Sequence, residues 1–189
     1  MTNVPDINDQ SSDPPAALSR QRLPKLWIGY LLALATFIGE GIALSRHPEL
    51  LKPQLGFVVP PLEIFLPVFV AGVYWLVCIY NYHKILAHIP GYKHPVSPAR
   101  AVGFHFIPFF YLVWLFIWPN RIAEFVNAHV KPPKMRGWVV GLTCLAGLAC
   151  QIFFDPAFGI ALMYLALTYL ASCLTRALAA EANPDSQQS

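Results

Sequence analysis

Five apolar segments occupy most of this chain: Leu26 to Ser45, Phe57 to Tyr80, Ala101 to Trp118, Gly137 to Phe154 and Ala157 to Thr175. At about 1.5 Å of rise per residue, roughly 20 helical residues cross a hydrocarbon core of about 30 Å, so each segment is long enough or nearly so. Backbone placed in hydrocarbon must satisfy its own N–H and C=O groups, and a helix does this within a single segment. The sequence therefore predicts an all-α fold, an integral membrane helical bundle. Composition agrees, since only 12% of the 189 residues are charged, against about 25% in soluble domains.

The charges lie largely outside these segments. Residues 1–22 are rich in Pro, Asp, Asn and Ser without apolar periodicity, and read as a disordered polar tail. Residues 23–180 read as one transmembrane domain and 181–189 as a polar C-terminal tail. The first apolar run lacks a small-residue cleavage site and is expected to remain as a signal anchor.

Loop charge sets the expected topology, because short loops rich in Lys and Arg stay cytoplasmic. Five alternating spans would put six basic residues inside (Arg20, Arg22, Lys25, Lys84, Lys93, Arg100) and seven outside. If the third segment returns to its own face, eleven lie inside and only Arg46 and Lys52 outside. That segment also contains Pro108, ends at Pro119 and carries eight aromatic rings between Phe104 and Trp118, features of interfacial or interrupted helix. The expectation is four transmembrane spans plus one re-entrant or interfacial proline-kinked segment, with both termini cytoplasmic. Five spans are the alternative.

Local signals mark element boundaries. Ser97-Pro98 suits an N-cap and first helical position. Pro119 to Val130 puts Ile122, Phe125, Val126 and His129 on one helical face and Arg121, Glu124 and Asn127 mostly on another, as in a short interfacial helix. Asp155-Pro156 alone joins the last two segments, which predicts a tight hairpin. Gly137 and Gly141 form a GxxxG pattern, which lets helices approach closely within the chain or, alternatively, in a homodimer.

Three groups of side chains could carry chemistry. Glu40, Glu63 and His105 interrupt apolar segments and would make a polar pocket if they converged; the bland reading is an ion-paired rim. Lys84, Lys93, Arg100, Arg121, Lys131, Lys134 and Arg136 would form a cytoplasmic face for anionic lipid or a protein partner. His83, His88 and His94 have spacings that match no zinc pattern, and Cys78, Cys144, Cys150 and Cys173 lie singly in apolar stretches without a CxxC. No metal or cofactor is expected. A net charge of +3 without a basic cluster argues against nucleic acid, and no catalytic motif is present, which argues against an enzyme.

The stretch from Ser97-Pro98 through Ala101-Val-Gly-Phe104 to Ile107-Pro-Phe-Phe-Tyr-Leu-Val-Trp114 resembles a block in an uncharacterised family of bacterial polytopic membrane proteins. Tyr111 stands where that block has Asn, and Val113 where it has an aromatic residue. The resemblance implies a bacterial inner-membrane location and no particular activity. The functional expectation is a non-catalytic membrane component that binds lipid or a partner. A small transporter or membrane enzyme using Glu40 and Glu63 is the alternative.

Overall fold

The computed structural model describes residues 23–48, 60–131 and 133–182; the polar tail before residue 23, Lys52 and residues 183–189 lie outside them. The described residues are all-α and contain no strand. The helices are α1 (Trp27–Arg46), α2 (Leu62–Ala87), α3 (Pro98–Gly103), α4 (Phe110–His129), α5 (Gly137–Phe153) and α6 (Pro156–Ala182), with a 3-10 turn at Phe104–Phe106 after α3. Three of them, α1, α2 and α6, are long and apolar enough to cross a membrane, while α5 is apolar but has 17 residues.

Pairwise contacts fix the helix directions. The Tyr30 hydroxyl meets Thr168 Oγ1 at 3.0 Å while Glu40 reaches the backbone of Ala157, so α1 and α6 are antiparallel. Tyr74 donates to the Lys25 carbonyl at 2.9 Å and the Gly39 backbone lies against that of Glu63, so α1 and α2 are antiparallel too. The α5–α6 hairpin closes at Asp155, whose carboxylate accepts from Phe158 N at 2.7 Å and so satisfies one orphan amide of α6.

The core lies where α2, α4 and α6 meet. Trp75, Ile79, Tyr82 and Leu86 of α2 pack with Trp114, Trp118, Ile122 and Phe125 of α4 and with Tyr164, Leu167 and Leu170 of α6. The outward faces of α1 and α2 are apolar as well, with Leu34, Phe37, Phe65 and Phe69 exposed. Helices apolar on every side suit a lipid surround.

The proline-rich third segment folds as helix, break, helix. Ser97 caps α3 by accepting from Arg100 N, with Pro98 at the first helical position. Ile107 is extended (φ −88, ψ 113), the conformation that a following proline imposes. Phe109 then takes φ 61 and Phe110 N donates to the Pro108 carbonyl at 2.7 Å, a γ-turn that reverses the chain. The separate helix expected from Pro119 does not form, because α4 runs unbroken from Phe110 through a buried Pro119 to His129. The interruption falls at Pro108, where backbone before and after the proline is non-helical. The faces assigned to residues 121–129 are those observed, with Ile122, Phe125 and Val126 buried and Arg121 and Glu124 exposed.

Candidate functional site

Helix α4 runs antiparallel to α5, since Gly141 lies against Leu115 and Phe116, and Gly137 against Asn120. Both glycines of the GxxxG pattern are therefore occupied by packing within the chain. His129, at the end of α4, reaches Glu181 in the last turn of α6 at 3.0 Å. The loop after α2 closes on the same region, because the Tyr92 and Phe125 rings pack at 4.9 Å. The chain thus enters the α3–α4 hairpin and leaves it at one end of the bundle.

That end is basic. Lys25, Lys84, Lys93, Arg100, Arg121, Lys131, Lys134, Arg136 and Arg176 all lie there and all are exposed. Two described carboxylates accompany them: Glu124, 3.0 Å from Arg121, and Glu181, beside His129. The opposite end holds Glu40, Glu63 and Asp155, with Arg46 as its one described lysine or arginine.

A level can be drawn across the bundle near the start of α1. Lys25 is bonded to Tyr74, Trp75 meets Trp118 edge-on at 6.1 Å, and Asn120 abuts Gly137. Trp27 and Trp138 stand at this level and are 58% and 52% exposed. Beyond it α2, α4 and α6 continue with polar outer faces, including Lys84, Glu124 and Arg176. The continuation of α2 from Leu76 to Ala87 is about 18 Å long.

Inside this extension His83 is fully buried, its Nδ1 2.7 Å from His94 Nε2. Pro90 and Gly91 build the turn that makes the pairing, with Gly91 at φ 76 and Tyr92 N donating to the Ile89 carbonyl at 3.2 Å. This is the type II pattern, in which glycine supplies the left-handed residue. His83 Nε2, His94 Nδ1 and the neighbouring Trp118 Nε1 have no hydrogen-bond partner among the described residues. Burial holds His94 below the ordinary imidazole value, opposed by the Glu124 carboxylate. Burial and Glu124 together push the Tyr92 hydroxyl up. No group of three or more His, Cys, Asp or Glu among the described residues is arranged to hold a metal.

No family model, curated protein or solved structure matches this chain. What the site can do is therefore argued from its own residues.

The carboxylates in the apolar segments take separate partners. Glu63 pairs with Arg46 at 2.6 Å, and Glu40 accepts from Ala157 N at 3.3 Å. His105 is bonded through Nδ1 to the Ala101 carbonyl at 2.9 Å and lines a different cavity from the cleft that Glu63 borders. His105's cavity, of about 490 Å³, lies between α2, α5, α6 and the tip of the hairpin, with Tyr111, Gln151 and Tyr164 also in its wall. Sequence reasoning missed both this cavity and the His83–His94 pair. The Pro90-Gly91 turn signal was the one clue to the pairing.

Proposed function

We propose that this chain is a multi-pass membrane component with four spans, α1, α2, α5 and α6, and a re-entrant hairpin built from α3 and α4. Both termini then lie in the cytoplasm of a bacterial cell and the basic end binds anionic lipid headgroups at the inner membrane. The observation that carries this reading is the charge asymmetry of the bundle: nine exposed lysine and arginine side chains at one end against Arg46 at the other, among the described residues. Positive charge is retained on the cytoplasmic side, and each Lys or Arg near an anionic surface contributes about 1 kcal/mol of attraction. At 17 residues α5 covers about 26 Å, a modest mismatch that a bilayer accommodates.

Topology is tested by single cysteines at Ala87, Ala128 and Ala180 in a cysteine-free background, labelled with an aqueous thiol reagent from either face of membrane vesicles. All three are expected to react from the cytoplasmic face, and reaction of Ala128 and Ala180 from the other face would establish five spans. Headgroup binding is tested in nanodiscs of phosphatidylcholine with and without phosphatidylglycerol. The anionic lipid is expected to raise the melting temperature, and replacing Lys131, Lys134 and Arg136 with Gln is expected to remove most of that gain. Equal melting in both lipids would reject lipid binding and leave a protein partner as the occupant of this face.

A further inference from the structure

The α3–α4 hairpin fills only part of the gap between α2 and α5. These two helices do not pack against one another along their length, and the hairpin turns back at Phe109. Past its tip the gap stays open as the cavity of about 490 Å³. A second cavity, of about 430 Å³, continues towards the ends of the helices and shares Val68, Leu148 and Gln151 with the first. Together they form one slot that runs along α2 from Leu76 to its first residue, Leu62, and on to Pro60, with about 21 Å of helix in its wall. Its floor is α6, through Ile160, Met163 and Tyr164, and each cavity has the volume of an ordinary ligand pocket, which is about 300–1,000 Å³.

The two ends of the slot differ in chemistry. Its inner end is a wall of rings and aliphatic side chains against the hairpin tip, with the His105 imidazole among them. Its outer end reaches Pro156, and Pro156 is flanked by carboxylates: Asp155 precedes it, and Glu40 is bonded to the amide of Ala157 that follows it. Both carboxylates accept from the first turn of α6, Glu40 from Ala157 N and Asp155 from Phe158 N. Arg46, at the same end of the bundle, is paired with Glu63, which borders the separate cleft between α1 and α2. A rim with two carboxylates complements a headgroup that bears an ammonium.

We propose that the slot between α2 and α5 is a binding site for one aminophospholipid of the leaflet opposite the basic end, with an acyl chain in the slot and its ammonium at Glu40 and Asp155. The proposal rests on the four-span topology above, which places the slot in hydrocarbon and its rim at a headgroup layer. An apolar slot open to lipid excludes water and selects a flexible chain, and the rim then discriminates by charge.

The test uses the full chain in phosphatidylcholine nanodiscs that contain a small fraction of phosphatidylethanolamine with a photoactivatable group on its acyl chain. Crosslinks are expected to concentrate on Val68, Leu148 and Gln151 over the equally apolar exposed face of α1. Gly72 lines the slot, and a Cβ placed there meets nothing within 4 Å, so Gly72→Leu fills the slot without disturbing the helix. It is expected to cut slot labelling at least tenfold at an unchanged or raised melting temperature. The pair Glu40→Gln and Asp155→Asn keeps a capping side chain on α6 and is expected to lower labelling by the ethanolamine probe but not by a phosphatidylglycerol probe. Labelling spread evenly over the lipid-facing helices, or untouched by Gly72→Leu, overturns the slot in a protein that passes the thiol test. Failure of the thiol test removes the slot from the lipid and overturns it together with the topology.

Discussion

His83 Nδ1 and His94 Nε2 face one another at 2.7 Å, and the pair joins the buried face of α2 to the loop that leads into the hairpin. Eleven residues of sequence are closed by one hydrogen bond, and His83 is fully buried. Removing His94 leaves a buried ring nitrogen unpaired, at a cost of about 1–3 kcal/mol. Stability should also depend on pH through His94, whose pKa is held below the ordinary imidazole value of 6.5 chiefly by burial. Protons then bind the unfolded state more readily than the folded one, so the contribution is complete above about pH 6.5 and falls as the pH drops below it. Melting temperatures at pH 7.5 and 5.5 in detergent check this: wild type should lose more stability than His94→Gln over that interval.

Close glycine contacts hold α5 in place. A Cβ at Gly141 would come within 2.9 Å of the Leu115 carbonyl oxygen, and one at Gly147 within 2.8 Å of the Gly159 carbonyl oxygen. Gly141→Val and Gly147→Val should each destabilise by about 1–3 kcal/mol through overpacking. Gly72→Ala meets no atom within 4 Å and should gain up to about 1 kcal/mol of helix propensity. Unfolding in mixed detergent micelles separates these outcomes by sign.

Much of this architecture was legible in the sequence, because helices in lipid announce themselves by length and hydropathy. The apolar segments became helices, Ser97-Pro98 became a capped start, and residues 121–129 buried the face that their spacing indicated. Helix ends were less legible. Helix α2 continues past Tyr80 to Ala87 and α6 past Thr175 to Ala182, since their final turns expose Lys84, Arg176 and Glu181 and no longer read as apolar runs. Pro119 misled because a proline inside a helix marks a break only when the surrounding packing fails to hold the turns together, and here Trp118 and Ile122 are both fully buried. The slot was invisible, since a gap depends on which helices fail to touch.

The turn at the hairpin tip stores strain. Phe109 adopts φ 61 and ψ −39, costly for a residue with a Cβ, and it is 89% exposed, so its side chain recovers little from packing within the chain. Phe109→Gly should therefore stabilise the fold by about 1 kcal/mol, whereas Phe109→Val, β-branched at the same backbone position, should destabilise it. If both variants melt at the wild-type temperature, the γ-turn carries no strain.

Asn127 ties the loop between α4 and α5 to the end of α4. Asn127 donates from Nδ2 to the Met135 carbonyl at 2.9 Å and accepts at Oδ1 from Met135 N at 2.7 Å, so a single amide imitates the pairing of two extended strands and satisfies both backbone groups of a buried residue. Lys131, Lys134 and Arg136 flank this clamp. Asn127→Ala leaves both Met135 groups without a partner and should cost about 1–3 kcal/mol. Asn127→Asp keeps an acceptor for Met135 N but loses the donor to its carbonyl, and should cost less. Amide exchange at Met135 reads the clamp directly: exchange should quicken in Asn127→Ala while the core amides of α6 stay protected, because the loop opens without unfolding the bundle. Binding to phosphatidylglycerol nanodiscs should weaken in the same variant although no charge has been removed, since the three basic side chains would no longer be held as one surface.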